Sequence, residues 1–89
     1  MNILMREVIG EALREMRMDA GKTLRQVSMD SMVSLGYLSE IERGHKEVSS
    51  EVLNSILSAL GSTLGDLLAV VALRVASAET QHIGVGVAA

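Results

Sequence analysis

The sequence predicts an all-α domain of five helices, and three features support that prediction. Proline, tryptophan and phenylalanine are absent, and Tyr37 is the only aromatic residue among the 89. A core built from Leu, Ile, Val, Met and Ala favours packed helices, because strands are enriched in aromatic and β-branched residues. Apolar residues recur at helical spacing, and capping signals separate one stretch from the next. A chain of this length forms one domain.

The first two helices have clear boundaries in the sequence. The first is predicted over residues 5–20, and Gly21 takes the left-handed position that commonly ends a helix. Thr23 then caps a second helix that ends near residue 31, and Gln26 completes a capping box. We expect this second helix to bury two apolar side chains and to bring two small residues close to a neighbour: Leu24 and Val27, and Ser28 and Ser31.

The third and fourth helices follow a tight turn. Met32 and Val33 form that turn, and Ser34 caps a third helix that ends at Gly44. The fourth helix starts at residue 49 or 50. It carries a core stripe at helical spacing, formed by Leu53, Ile56, Leu57 and Leu60.

The fifth helix, predicted over residues 64–78, is apolar nearly all round. Thr63 and Asp66 begin it with a second cap. One face is expected to join the core, and it consists of Leu64, Leu67, Leu68, Val71 and Val75. The other face is predicted to form a dimer interface, because a contiguous exposed apolar patch usually marks a contact. That interface consists of Ala69, Val70, Leu73 and Ala76. The alternative is a few tolerated exposed aliphatic side chains.

Charge and composition exclude several classes of function. The net charge is −3. Residues 1–46 carry seven of the eight basic side chains, together with seven acidic ones, so we expect any DNA contact in this half. Cysteine is absent, and His45 and His82 are isolated, so we predict no metal site, no cofactor and no enzymatic activity. The start lacks the pattern of a signal peptide, and no apolar run is long enough for a membrane span. We therefore expect a cytoplasmic protein with no membrane partner.

Two short helices joined by a tight turn, over residues 23–31 and 34–43, have the layout of a helix-turn-helix. The stretch GKTLRQVSMDSMVSLGYLSEIERG, followed by a helix ending LSALG, resembles the Cro/lambda-repressor-type (XRE-like) helix-turn-helix family. More narrowly, TLRQVS and VSLGYLSEIERGHKEVSSE resemble the actinobacterial regulators of Clp protease genes. The resemblance implies a lambda-repressor-like DNA-binding domain with an extended C-terminal helix. It also implies a transcriptional activator. With the dimer predicted from the fifth helix, we expect the protein to bind a near-palindromic operator as a homodimer.

The resemblance implies roles for the positions that match the family's motif. It assigns a base-reading set in the major groove to Ser34, Leu35, Gly36, Ser39 and Glu40. It assigns phosphate contacts to Thr23, Arg25, Tyr37, Arg43, His45 and Lys46. Tyr37 has an equal alternative as a half-buried ring packed between helices. Glu40 has the alternative of a solvated carboxylate that repels nearby phosphates.

The resemblance also implies a structural pair, in which Arg17 and Glu42 tie the first helix to the third. The sequence departs from the family pattern at Leu24, where the family often has Gln, and at Met32, where Gly is usual. Met32 implies either a left-handed residue or a different turn. The reading positions include no Arg or Gln, so specificity would depend on dimer geometry and DNA shape.

The C-terminal residues HIGVGVAA allow two interpretations. In the first they belong to a flexible tail, residues 79–89, which follows the DNA-binding domain with its dimerisation helix, residues 1–78. In the second interpretation the last three residues, Val87, Ala88 and Ala89, resemble the tags that Clp-type proteases recognise. A Clp protease would then be a partner, and RNA polymerase is a further partner that an activator implies.

A second class of function stays open from the sequence. A protein-interaction adaptor or antitoxin-like module would keep the helical fold without binding DNA, and the neutral first half favours it. The four polar and basic residues Thr23, Arg25, Arg43 and Lys46 favour DNA. Salt-dependent binding to duplex distinguishes the two, because phosphate contacts lose affinity steeply with added salt.

Overall fold

The computed structural model describes residues 3–87, with side chains as far as Thr80, and this part of the chain forms five helices. The all-α prediction is confirmed, and the first four helices have the predicted bounds to within a residue or two at each end. The helices are α1 (Met5–Asp19), α2 (Leu24–Ser31), α3 (Leu35–Glu42), α4 (Ser50–Leu60) and α5 (Leu64–Val87).

Side-chain caps begin α2, α3, α4 and α5, as the sequence predicts. In the capping box of α2, Thr23 Oγ1 accepts from the Gln26 N–H at 3.1 Å, and Gln26 Oε1 accepts from the Thr23 N–H at 2.8 Å. Thr63 and Asp66 make the equivalent box at α5, with both distances 3.1 Å. Serine hydroxyls cap α3 and α4. Each cap satisfies a backbone N–H that the first helical turn leaves without a partner.

The core lies where the helices meet, and its most deeply buried side chains come from four of them. They are Leu13, Val27, Leu38, Ile41 and Leu67. The predicted core face of α5 is partly wrong, because Leu64 and Leu68 are 47% and 55% exposed. The helical periodicity is correct, but α5 packs through a narrower stripe spaced every four residues. In this stripe Leu67 and Val71 are buried and Val75 is half-buried.

The end of α5 also differs from the prediction. The sequence pattern places the end of the helix near residue 78, whereas α5 continues to Val87. No proline interrupts this stretch, and its two glycines weaken a helix by about 1 kcal/mol each without breaking it. Ala88 and Ala89 lie outside the described residues. The division of the chain into domain and tail stays a prediction.

Residues 3–80 hold neither a clear membrane span nor a cluster of metal-binding side chains. No single helix in this range has both the length and the apolar composition to cross a membrane. Only α4 and residues 64–80 of α5 meet both conditions together, and the chain bends by 99° between them. In the same range, no three His, Asp or Glu side chains lie close enough together to hold a metal ion.

Candidate nucleic-acid interface

Two serine hydroxyls hold the turn between α2 and α3. Ser28 Oγ donates to the carbonyl of Val33 at 2.6 Å, and Ser31 Oγ accepts from the Val33 N–H at 3.2 Å. Val33 itself is buried, so both hydrogen bonds and apolar packing fix the turn. The sequence predicted these serines only as small residues at a helix contact, and their use as hydrogen-bonding groups was missed.

The conformation of Met32 decides between the two turns that the sequence allowed. Its backbone is left-handed, with φ 63° and ψ 16°, and its N–H donates to the Ser28 carbonyl at 3.0 Å. The side chain is 90% exposed and adds no packing to offset the backbone strain, which is about 1 kcal/mol. A left-handed residue therefore ends α2, and here that residue is methionine.

α3 has one buried face and one open face. Leu38 and Ile41 are buried in the core. On the open face Leu35 is 38% exposed, and a Cβ on Gly36 would meet no atom within 4 Å beyond its own chain neighbours and the backbone of α3. The residues predicted to read bases share this side of the helix. Ser34, Leu35 and Gly36 are exposed, and Ser39 and Glu40 are half-buried.

The pair implied by the family resemblance, Arg17 with Glu42, is formed. Arg17 Nε and Nη2 donate to the two carboxylate oxygens of Glu42 at 2.7 and 3.1 Å, and Nη1 donates to the Lys22 carbonyl at 2.9 Å. The two side chains are only 15% and 10% exposed. The hydrogen bonds to Glu42 raise the pKa of Arg17 above its ordinary value, because they stabilise the charged guanidinium. The pair ties α1 to the C-terminal end of α3.

Two further residues of α1 contact the end of α3 or Gly44 just beyond it, and neither contact was predicted from the sequence. A Cβ on Gly10 would overlap the carbonyl oxygen of Ile41 and would lie 2.8 Å from that of Glu42, so the two backbones are in direct contact. Arg6 Nε donates to the carbonyl of Gly44 at 3.0 Å. The signal for Gly10 was available, because a glycine inside an amphipathic helix often marks close packing.

Glu40 forms a cluster with two of the predicted phosphate contacts. Arg43 Nη2 lies 2.9 Å from Glu40 Oε1, and His45 Nδ1 lies 2.8 Å from Glu40 Oε2. An ionised carboxylate only accepts hydrogen bonds, so Nδ1 of His45 is the donor. The bond from His45, with the charge of Arg43, lowers the pKa of Glu40 below its ordinary value. We call Glu40, Arg43 and His45 the Glu40 cluster.

The other predicted phosphate contacts flank the helix-turn-helix. Arg25 and Lys46 are exposed, and Thr23 is exposed while its hydroxyl caps α2. Tyr37 is half-buried against the core, and its hydroxyl donates to the Glu47 carbonyl at 3.0 Å. In the unbound protein Tyr37 therefore adopts the packed arrangement, and its contact with phosphate stays a prediction.

The predicted dimer face of α5 is open apart from one residue. Leu73 is 73% exposed, Ala69 and Ala76 are exposed, and Val70 is half-buried against the core. Arg74 fixes α5 to α1, because its guanidinium donates to carboxylate oxygens of two α1 residues. The distances are 3.0 Å to Glu11 and 2.7 Å to Glu15. Sequence reasoning missed this link, which joins residues about sixty positions apart.

Comparison with known proteins identifies a helix-turn-helix domain in this chain. Residues 13–67 match the helix-turn-helix family HTH_3. The transcriptional regulator ClgR of Mycobacterium tuberculosis is 57% identical over 68 residues, which cover 76% of this chain and 61% of that protein. The chain therefore spans less than two thirds of the length of this relative.

Comparison with solved structures also finds a ClgR protein. The crystal structure of the clp gene regulator ClgR from Corynebacterium glutamicum has a TM-score of 0.86 at 48% identity, covering 96% of this chain and 90% of that one. The restriction-modification controller protein C.AhdI from Aeromonas hydrophila has a TM-score of 0.67 at 26% identity, covering 70% and 94%. The predicted resemblance to XRE-like proteins and Clp gene regulators is confirmed. The ClgR relatives are regulators, in agreement with the prediction that the chain is not an enzyme.

Proposed function

Because this chain belongs to the helix-turn-helix family and is similar to ClgR regulators, we propose that it is a sequence-specific DNA-binding transcriptional regulator. The observation that carries this proposal is the open face of α3, which is held in a fixed position by α1. An α-helix fits the major groove, where each base pair presents a distinct pattern of donors and acceptors. A helix that α1 holds in place, and whose polar side faces solvent, is suited to that groove.

The side chains on the open face have the chemistry to read bases. The hydroxyls of Ser34 and Ser39 donate to or accept from base edges, and Leu35 suits a thymine methyl group. Gly36 lets the backbone approach the groove floor, because no side chain stands in the way. The basic and polar residues around the two helices contact phosphates and set the register, and these are Thr23, Arg25, Tyr37, Arg43, His45 and Lys46.

The finer part of the proposal concerns the regulated genes and the assembly. We infer that the protein regulates Clp protease genes, and the similarity to the clp gene regulator ClgR supports this. From the family resemblance we further propose that it activates Clp protease and proteostasis genes in the cytoplasm, with RNA polymerase as a partner at the promoter. The exposed face around Leu73 supports a homodimer. Two recognition helices related by a twofold axis would read a near-palindrome with half-site centres about 34 Å apart.

A titration of duplex DNA tests the proposal directly. Fluorescence anisotropy is measured with a selected operator and with an unrelated duplex at two salt concentrations. We expect Ser39→Ala to reduce the preference for the operator, and Arg43→Ala to weaken binding to both duplexes. Ser58→Ala, an exposed serine on α4, is the matched control and leaves binding unchanged. Equal loss of operator preference in Ser39→Ala and Ser58→Ala would contradict groove reading by α3.

The adaptor is a second candidate, favoured by the balanced charge of residues 1–46. The same titration distinguishes it. If the folded wild-type protein binds no duplex even at low salt, the open face of α3 is a protein-contact surface.

The dimer has its own test in analytical ultracentrifugation. Leu73→Asp is expected to shift the protein to monomer, because it places a charge in the centre of the proposed interface. Leu68→Asp is the control, since Leu68 is an exposed leucine of α5 outside the predicted interface. Dissociation by Leu68→Asp but not by Leu73→Asp would place the interface on the other side of the helix.

We also propose that the C-terminal residues Val87, Ala88 and Ala89 form a tag for a Clp-type protease. This proposal is motivated by the small apolar side chains of these three residues and by the ClgR relatives. Replacing Ala88 and Ala89 with Asp is expected to lengthen the half-life of the protein in cells. An unchanged half-life would overturn it.

A further inference from the structure

The Glu40 cluster places an acidic side chain among the groups expected to contact phosphates. Both carboxylate oxygens of Glu40 are occupied, one by Arg43 at 2.9 Å and the other by His45 at 2.8 Å. Glu40 is half-buried, whereas the Arg43 and His45 side chains are 57% and 60% exposed. The two donors therefore remain accessible to DNA while they are held by the carboxylate.

A carboxylate and a phosphate diester offer the same chemistry to these donors. Each presents two oxygens that share one negative charge and accept charge-assisted hydrogen bonds. Arg43 and His45 cannot give the same hydrogens to Glu40 and to a DNA phosphate. A phosphate that takes these hydrogens from Arg43 Nη2 and His45 Nδ1 therefore displaces Glu40.

We propose that Glu40 acts as an internal substitute for a DNA phosphate and holds Arg43 and His45 until a phosphate displaces it, which lowers the affinity of the protein for DNA. The proposal rests on the proposed function, because DNA is the ligand that releases the two donors. Glu40 is then a positioning residue that acts through Arg43 and His45 and makes no base contact.

This arrangement weakens binding to every duplex in which a phosphate takes these hydrogens. Releasing the two donors from Glu40 has a free-energy cost, and that cost is the same for the operator and for an unrelated duplex. A cost common to both complexes cancels from the ratio of their affinities. Glu40 therefore lowers the affinity for DNA without changing the choice of site.

The substitution Glu40→Gln tests this inference, because it removes the charge and keeps the shape of the side chain. We expect operator and non-specific duplex to bind about threefold to tenfold more tightly, as expected from the loss of one or two exposed ion pairs. The two affinities should rise by a similar factor, so the preference for the operator is unchanged. The salt dependence of non-specific binding should become steeper by about one unit, because a further cation becomes free to neutralise phosphate.

Two controls separate this mechanism from general charge repulsion. Glu51→Gln removes the same charge from an exposed position at the start of α4. It should have a much smaller effect than Glu40→Gln. In an Arg43→Gln/His45→Gln background, Glu40→Gln should no longer tighten binding, because the residues it restrains are gone. Equal effects of Glu40→Gln and Glu51→Gln, or a gain that persists in that background, would overturn the inference.

The competing role for Glu40 predicts the opposite result. If Glu40 accepts a hydrogen bond from a cytosine amine, Glu40→Gln weakens operator binding and leaves non-specific binding unchanged. That outcome, or no effect on either duplex, would overturn the inference and leave the proposed function in place. If the wild-type protein binds no duplex, the proposed function fails and the inference falls with it.

A measurement without DNA checks the cluster itself. The titration of the Glu40 carboxyl is followed by carbon-13 NMR in the wild-type protein and in His45→Gln. We expect the pKa of Glu40 to lie below its ordinary value in the wild type and to rise in His45→Gln, because the bond from His45 stabilises the charged carboxylate. An ordinary Glu40 pKa in the wild type would overturn the inference whatever the DNA titrations show.

Discussion

The two sides of α3 differ in how tightly they are held. At the C-terminal end, three α1 residues contact α3 or Gly44, the second residue after it; these are Arg6, Gly10 and Arg17. On the open side, Gly36 has free space around it and Leu35 is exposed. The difference shows that the position of the helix is set by contacts away from the face proposed to meet DNA. Stability and recognition therefore depend on different residues.

The largest expected effect comes from breaking the pair between Arg17 and Glu42. In Arg17→Ala the Glu42 carboxylate stays largely buried without its partner, which destabilises the fold by about 3–5 kcal/mol. Urea denaturation followed by circular dichroism measures this loss. Arg14→Ala, at an exposed position on the same helix, should change stability by about 0.5 kcal/mol or less. Similar losses in the two variants would contradict a structural role for the pair.

Adding one methyl group on each side of α3 tests whether one side is tightly packed and the other is open. In Gly10→Ala the new Cβ meets the carbonyl oxygens of Ile41 and Glu42, so α1 and α3 must separate, and we expect a loss of about 2 kcal/mol. In Gly36→Ala the Cβ enters open space inside a helix, and stability should rise by about 0.5–1 kcal/mol. Thermal unfolding measures both changes. A neutral Gly10→Ala would show that the two helices are not in close contact.

The smallest expected effect is a gain at the turn before α3. In Met32→Gly the left-handed backbone loses its strain and no buried contact is lost, so stability should rise by about 0.5–1 kcal/mol. Met29→Gly is the matched control, because Met29 is also an exposed methionine but lies inside α2. It should lose about 1 kcal/mol. A loss in Met32→Gly would mean that the methionine side chain has a role in the turn.

The features predicted correctly from the sequence are those with local causes. The capping boxes at Thr23 and Thr63 are formed because cap and partner are three residues apart and share one turn of helix. The open face of α3 follows in the same way from apolar spacing. The pair of Arg17 with Glu42 came from resemblance to a family, since residues in different helices have no fixed spacing.

The features that the sequence did not reveal depend on how helices meet. Periodicity shows that α5 has an apolar face, but the packing against α1 decides that Leu67 is buried and Leu68 is exposed. The partners of Arg74 likewise depend on that packing. The Glu40 cluster was missed because His45 lies beyond the end of α3. The chain must turn back after the helix, at Gly44, before the imidazole can reach the carboxylate.

The contact at Gly10 has a consequence for the divergence of such proteins. It involves carbonyl oxygens of Ile41 and Glu42, which every amino acid possesses. Substitutions at Leu35, Gly36 or Ser39 therefore leave the contact between α1 and α3 unchanged. After a gene duplication, one copy can acquire a preference for a different promoter through a few changes on this face, without a period of reduced stability. The same scaffold can in this way serve regulators that control unrelated sets of genes.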